Sequence, residues 1–270
     1  AASDVYKRQV MYKFGLKLWS VNENYIDTAK KLYDENIYDY IELYAIPSSF
    51  DEYAELWKSL NIPYIIHAPH FMHGIDFSCE EKLNDNIKLA YEALKYADYL
   101  NADKIIFHPG IKGDYRQTAR QIRMINDERI LIENKPYHVA VETSALSLYD
   151  VCVGYNPEQI EYIMQESGAG LCLDIGHGIC AANSLNIDYV SFLKEFISLK
   201  PYMFHISDGE INGKIDKHYN IGKGSFDFNV LFSLIPENSV ISVETEKASK
   251  DNLNDFVLDM EQLKNYCKSK

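Results

Sequence analysis

Short apolar runs of strand length alternate along the chain with longer segments in which apolar residues recur every three or four positions. The first pattern is typical of buried strands, and the second is typical of amphipathic helices. We therefore predict eight strands, at residues 12–19, 38–44, 63–68, 104–108, 138–142, 170–174, 202–207 and 240–244. The predicted helices cover residues 24–36, 49–60, 79–100, 115–134, a segment that begins at 157, and residues 187–199, 229–234 and 253–266.

Strands that alternate with helices indicate βα units around a parallel sheet. Eight such units in 270 residues predict a single (β/α)8 TIM barrel, a fold that typically takes ~250 residues. A doubly wound open sheet is the alternative, but no glycine-rich phosphate loop follows the first predicted strand. We expect residues 11–270 to form one domain, and the polar, aperiodic residues 1–10 to be a non-native N-terminal extension.

The predicted strands share a histidine or a carboxylate at or near the C-terminal end. These residues are His67, His108, Glu142, Asp174, His205 and Glu244, and less clearly Glu42. The active site of a barrel lies at the C-terminal ends of its strands, so these side chains would converge on one cleft. Carboxylates that converge repel one another, and a divalent cation removes this repulsion.

Three further residues extend the candidate metal site. His177 follows Asp174 by three residues, and Asp216 and His218 lie in the loop after the seventh predicted strand. Mixed imidazole and carboxylate ligands favour zinc, manganese or iron over calcium or magnesium. The sequence therefore predicts a divalent metal cofactor, Zn or Mn, with one to three ions.

Composition restricts the partners and the compartment. The 27 basic and 40 acidic residues leave a net charge of −13, which disfavours a polyanionic partner without excluding one, since metal ions can reverse the charge of a cleft. The five cysteines contain no Cys-x-x-Cys pair, which indicates reduced thiols in a cytoplasmic protein. No apolar run is long enough to span a membrane. The sequence leaves a homo-oligomer open.

Three residues are candidates for substrate binding. Lys223 lies in a glycine-containing segment, residues 221–224, that either exposes N–H groups to an anion or forms an ordinary turn. His70, in the polar loop after the third predicted strand, faces either the substrate or the solvent. Glu42 lies near the end of the second predicted strand, and we expect it to contact substrate.

Together these motifs resemble the xylose-isomerase-like TIM barrels, a superfamily that contains sugar isomerases, epimerases and endonuclease IV. The resemblance runs from Met11 to the C-terminus. It rests on His67, Phe107-His108-Pro109-Gly110, Val141-Glu142-Thr143, Asp174-Ile175-Gly176-His177, His205-Ile206-Ser207-Asp208, Asp216-Lys217-His218, Gly222-Lys223-Gly224 and Val243-Glu244-Thr245.

Endonuclease IV holds three zinc ions and cleaves DNA beside abasic sites, and the resemblance implies a ligand group for each ion. The groups are His67, His108 and Glu142; Glu142, Asp174, His205 and Glu244; and His177, Asp216 and His218. Three segments depart from that enzyme. Residues 15–20 lack its first-strand histidine, and residues 68–72 lack its Tyr-Leu pair. Its Glu-Asn-Thr triplet is Glu142-Thr143-Ser144 in this chain.

Residues 40–44 and 222–228 are more similar to the sugar isomerase and epimerase branch. We therefore predict a metal-dependent isomerase or epimerase that converts a small sugar, sugar phosphate or polyol through an enediolate. The resemblance implies that Glu142 and Glu244 transfer the proton and that His177 binds a hydroxyl. The alternative is an endonuclease IV-like zinc phosphodiesterase acting on DNA, and a third class is a barrel that binds a ligand without catalysis.

Overall fold

A computed structural model describes residues 12–143 and 146–268. The predicted extension, residues 1–10, lies outside these residues. Eight parallel strands form a closed barrel, which confirms the predicted fold. They are β1 (Lys13–Trp19), β2 (Tyr40–Tyr44), β3 (Tyr64–His67), β4 (Ile105–Phe107), β5 (Ile130–Glu133), β8 (Gly170–Asp174), β9 (Met203–Ile206) and β10 (Val240–Val243). A two-stranded sheet, β6 (His138–Thr143) and β7 (Leu146–Val151), is inserted after β5.

Nine α-helices surround the barrel in the described part of the chain. They are α1 (Ile26–Asp34), α2 (Phe50–Ser59), α3 (Leu83–Leu100), α4 (Tyr115–Ile125), α5 (Pro157–Ser167), α6 (Ile175–Leu185), α7 (Tyr189–Ser198), α8 (Phe228–Leu234) and α9 (Asn254–Lys268). None of the described helices has both the length and the apolar character of a membrane span.

The fifth barrel strand differs from the prediction. Residues 138–142 were assigned to it, but they belong to β6, which pairs antiparallel with β7 outside the barrel. The barrel position is taken by β5, where Ile130 pairs with Ile105 of β4 and Leu131 with Gly170 of β8. The predicted helix over residues 115–134 is therefore too long. Helix α4 stops at Ile125, because Asn126 adopts a left-handed conformation (φ 55°).

A helix that the sequence analysis did not predict, α6, follows β8 directly. Its N-cap is Asp174, whose Oδ1 accepts a hydrogen bond from the His177 backbone N–H at 2.7 Å. This capping contact fixes Asp174 at the barrel mouth and places His177 in the first helical turn.

The strands position the polar side chains above an apolar floor. The barrel interior contains a buried layer formed by Tyr40, Ile65, Ile106, Leu131, Cys172 and Met203. Alternate residues of a strand point to the same face. The residue two positions after a member of this layer therefore lies on the same face, nearer the C-terminal mouth. On β5 that residue is Glu133, and on β9 it is His205.

Candidate metal centre

The first group of potential ligands is His67, His108 and Glu133, whose ligand atoms lie within 4.8 Å of one another. Glu133 Oε2 is 3.2 Å from His67 Nε2 and 3.1 Å from His108 Nε2. These residues end β3, follow β4 and end β5, so three neighbouring strands position them. The carboxylate is Glu133, not the predicted Glu142, which lies on the hairpin strand β6.

A second group consists of His177, Asp216 and His218. Asp216 Oδ2 is 2.8 Å from His218 Nε2 and 3.4 Å from His177 Nε2. His177 comes from α6, and the other two residues lie in the loop after β9. The predicted Asp-x-His pair therefore does meet His177 in one place.

The central group surrounds His205 on β9. His205 Nδ1 is 2.9 Å from Glu244 Oε2, 3.4 Å from Glu133 Oε2 and 3.8 Å from Asp174 Oδ2. The other ring nitrogen, Nε2, lies 2.8 Å from Glu42 Oε2. Glu42 is fully buried and does not line the cavity, and together with His205 and Glu244 it forms a further group of potential ligands.

Two lysines that the sequence analysis did not consider enter the same site. Lys17, on β1, places Nζ 2.7 Å from Glu244 Oε2 and 3.1 Å from Glu42 Oε1. Lys135 places Nζ 3.3 Å from Glu133 Oε1, and only 7 % of this lysine is exposed. The alternation of β1 carried a signal for Lys17, because Gly15, Lys17 and Trp19 share one strand face.

The buried carboxylates demand positive charge. Burial opposes protonation of His177, but Asp174, Asp216 and Glu133 outweigh it and raise its pKa to about 10. Burial likewise opposes protonation of His218, yet Asp216 and Glu244 raise its pKa to about 9. In the metal-free protein these imidazoles therefore hold protons near neutral pH, and binding of a divalent ion would displace them.

The pKa values of the two histidines in the first group are shifted in the opposite direction. Burial, together with the nearby Lys17, lowers the pKa of His67, and burial and Lys135 lower the pKa of His108 far below its usual value. Both imidazoles are therefore neutral near pH 7, which is the form that binds a metal ion.

The histidine orientations fit a metal. The Nδ1 atoms of His67, His177 and His218 lie 2.8, 2.9 and 3.1 Å from backbone carbonyl oxygens. Each Nε2 faces a carboxylate oxygen, so a proton lies between these two atoms in the metal-free forms of His177 and His218, and a deprotonated ring presents a lone pair there. A cation between the two acceptors resolves this arrangement, and metal-bound histidines are usually held in this way.

Unpartnered buried atoms point to the same conclusion. His205 Nδ1, Glu244 Oε2 and Asp216 Oδ2 make no hydrogen bond to any described residue, although each lies at ion-pair distance from charged groups. Buried polar atoms are rarely left in this state. Nitrogen and carboxylate donors in these positions suit zinc, manganese or iron.

A cavity of about 440 Å³ opens above these groups. Its polar wall includes Lys17, His177 and Glu244, and its mouth carries Trp19 and Met72, which are 52 % and 75 % exposed. The hairpin closes one side through residues 138 and 139. The volume lies in the range of small-molecule pockets.

The remaining predicted substrate residues differ in position. His70 lines the cavity and stacks on His108, with ring centroids 5.0 Å apart. Lys223 is exposed and does not line it. The N–H groups of Gly222 and Gly224 both donate to Asp208 Oδ2 at 2.9 Å, so an anion would have to displace a buried carboxylate to reach them.

The protein is therefore a closed (β/α)8 barrel, and four overlapping groups of potential metal ligands lie at its mouth. Residues 21–266 match the family described as xylose isomerase-like TIM barrel, and the chain belongs to this family. The resemblance inferred from the motifs is confirmed. Proteins of similar sequence or fold include one named as epimerase-like and others named as endonuclease IV or endonuclease 4.

Relatives and solved structures represent both branches. An uncharacterised protein of Methanocaldococcus jannaschii is 28% identical over 252 residues, 88% of this chain and 96% of the relative. A protein named "Probable endonuclease 4" of Carboxydothermus hydrogenoformans is 27% identical over 187 residues, 65% of this chain and 64% of the relative. A D-tagatose 3-epimerase-like protein superposes with a TM-score of 0.70 at 20% identity, covering 95% of this chain and 97% of that chain. Endonuclease IV of Thermus thermophilus gives 0.67 at 15% identity, with coverages of 96% and 100%.

Proposed function

We propose that this protein is a metal-dependent isomerase or epimerase acting on a small sugar, sugar phosphate or polyol. The observation that carries the proposal is a pair of carboxylates, Glu133 and Glu244, that both approach His205 Nδ1, at 3.4 and 2.9 Å. Glu244 lines the cavity. Two carboxylates beside one metal position could share the transfer of a proton between neighbouring carbons of a substrate bound to that metal.

Glu133, Asp174, His205 and Glu244 would hold the metal ion, which when bound supplies a Lewis acid for the substrate carbonyl and hydroxyl oxygens. Glu244 is assigned to proton removal at Oε1, because its Oε2 faces Lys17 Nζ at 2.7 Å. Glu133 takes the role that the sequence analysis gave to Glu142. His177, which lines the cavity, would bind a substrate hydroxyl.

The cavity and the net charge support a small substrate. A cavity of about 440 Å³ accommodates a monosaccharide, and the hairpin narrows its mouth. The net charge of −13 opposes binding of a long polyanion, whose affinity depends on many lysine and arginine contacts.

The test is a panel of aldoses, ketoses and their phosphates, incubated with manganese- or zinc-loaded protein in D2O. We expect deuterium to enter one substrate at the carbon next to the carbonyl, because the transferred proton exchanges with solvent. Glu244→Gln should lower this exchange by about a thousandfold or more while the circular dichroism spectrum stays that of the parent. Glu246→Gln, at an exposed carboxylate two residues along, is the matched control. Full exchange in Glu244→Gln contradicts the assigned role.

A second candidate is a phosphodiesterase acting at abasic sites in DNA. The observation that favours it is the completeness of both flanking groups, His67–His108–Glu133 and His177–Asp216–His218. In addition, β5 ends at Glu133 and Asn134 follows it, so this segment matches the first two residues of the Glu-Asn-Thr triplet of endonuclease IV. Incision of duplex DNA with a single abasic site by the parent, and not by His218→Ala, would favour this function over the isomerase.

A further inference from the structure

The ammonium group of Lys135 lies among residues that belong to the groups of potential metal ligands. Its Nζ lies 3.4 Å from His108 Nε2, 3.4 Å from His177 Nε2 and 3.3 Å from Glu133 Oε1. The ammonium group therefore lies within 3.4 Å of a potential ligand atom of each flanking group, and it donates to Glu133 Oε1 and to the neutral His108 Nε2. The backbone holds the residue in place, because the Lys135 N–H donates to the Gly154 carbonyl oxygen at 3.0 Å.

The two imidazole nitrogens that face Lys135 are those that a metal ion would need. His108 Nε2 belongs to the first flanking group, and His177 Nε2 belongs to the second. A metal ion bound to either nitrogen would lie within a few ångströms of the positive charge of Lys135, and this repulsion opposes its binding. Filling either flanking group therefore requires Lys135 to move away from the arriving cation.

The charges inside the site limit the number of divalent ions that it can hold. Its carboxylates are Glu42, Glu133, Asp174, Asp216 and Glu244. Lys17 and Lys135 already offset two of these negative charges, which is the charge of one divalent ion. With both lysines in place, three divalent ions would leave the buried site with a large excess of positive charge.

We propose that Lys135 is a built-in cation that keeps both flanking groups free of divalent metal, so that only the central group around His205 binds an ion tightly. Lys135 is thus a residue that determines the number of metal ions. This inference rests on the metal site of the proposed function, and it explains why two complete flanking groups accompany a site assigned to isomerase chemistry.

The experiment compares Lys135→Met with the parent, because methionine has a similar length and no charge. Each protein is stripped with a chelator and equilibrated with a series of free zinc concentrations, and bound zinc is counted by elemental analysis. We expect one tightly bound ion in the parent and at least one more in Lys135→Met. The additional ion should bind about a hundredfold or more tighter than any second ion in the parent, since a positive charge a few ångströms away is removed. Lys135→Arg, which keeps the charge, should resemble the parent, and so should Lys88→Met at an exposed lysine.

A second variant tests the inference without Lys135→Met. His218→Ala in the parent removes a ligand of a group that is empty under this proposal, so the number of tightly bound ions should stay at one. Loss of an ion in His218→Ala, three tight ions in the parent, or equal non-zero numbers in parent and Lys135→Met would each overturn the proposal. No bound metal in any of these proteins would contradict the proposed function as well, which separates the two failures.

Discussion

Glu133→Gln provides the sharpest test of the metal centre, because this carboxylate touches all of its parts. Glu133 lies within 3.4 Å of His67, His108, His177 and His205. Glutamine keeps the shape of the side chain and removes the negative charge. We expect zinc or manganese to bind far more weakly, since the ion loses a charged ligand that the central and first flanking groups share.

The size of this effect follows from the position of the residue. Removing a partner that only orients a ligand typically costs 10- to 100-fold in metal affinity. Glu133 is itself among the potential ligands and is 1 % exposed, so we expect a loss of at least about a hundredfold, or ~2.7 kcal/mol. At a zinc concentration of 100 times the parent's Kd, binding stabilises the parent by about 2.7 kcal/mol, which raises the Tm of a chain of this size by roughly 5–10 °C. This zinc-dependent increase should nearly vanish in Glu133→Gln.

The assay is thermal denaturation of metal-free protein with and without zinc, together with a competition titration against a chromophoric chelator. Glu142→Gln is the matched control, because it makes the same chemical change on the hairpin strand β6 instead of the barrel strand. The control should retain the parent's affinity and Tm increase. If Glu142→Gln lost metal binding and Glu133→Gln kept it, the assignment of the fifth strand and its ligand would be refuted.

Two further predictions concern stability. In the metal-free protein, the raised pKa values of His177 (about 10) and His218 (about 9) stabilise the folded state fully below the unfolded-state pKa of about 6.5. This contribution is lost as the pH rises through 9 to 10, so the urea concentration at the midpoint of unfolding should fall over that interval. The fall should be smaller in His218→Asn. A midpoint that does not change with pH in the parent would contradict the prediction. Asp208→Asn should lower the free energy of unfolding by about 3 kcal/mol. The buried carboxylate accepts hydrogen bonds from four backbone N–H groups, including those of Gly222 and Gly224, and the NH2 group of asparagine cannot accept them. Urea denaturation measures this loss, and Asp227→Asn at an exposed helix cap should cost clearly less.

Local patterns were sufficient for seven of the eight barrel strands. In all of them except β1, a short apolar run carries a histidine or a carboxylate at or near its C-terminal end, and the barrel brings these ends together. The flanking group of His177, Asp216 and His218 was also predictable, because its members follow β8 and β9 closely.

The fifth strand was not predictable from such patterns. Residues 130–133 and 138–142 are both apolar runs that end in glutamate, and they lie only a few residues apart. What distinguishes them is strand pairing, since Ile132 pairs with Leu171 of β8 whereas Val141 pairs with Leu148 of the hairpin. Pairing between distant segments is not encoded in the local alternation. Asn126, a common helix-ending residue, was the one local sign that α4 stops before β5.

The lysines were missed for a related reason. A lysine on a strand is ordinarily interpreted as a solvent-facing residue, and a lysine after a strand as part of a loop. Carboxylates from other strands surround both lysines in the closed barrel, and the alternation of β1 was the one local sign, for Lys17 alone.

His205 is oriented opposite to the histidines of the flanking groups. It faces the centre of the site through Nδ1 and contacts Glu42 through Nε2, whereas His67, His177 and His218 face carboxylates through Nε2. Zinc bound at the central group would therefore shift the ¹⁵N resonance of a δ nitrogen, and zinc bound at a flanking group would shift that of an ε nitrogen. A long-range ¹H–¹⁵N spectrum of protein labelled with ¹⁵N-histidine reports the tautomer of each ring. It would thus show which group of ligands holds zinc, independently of how many ions the protein carries.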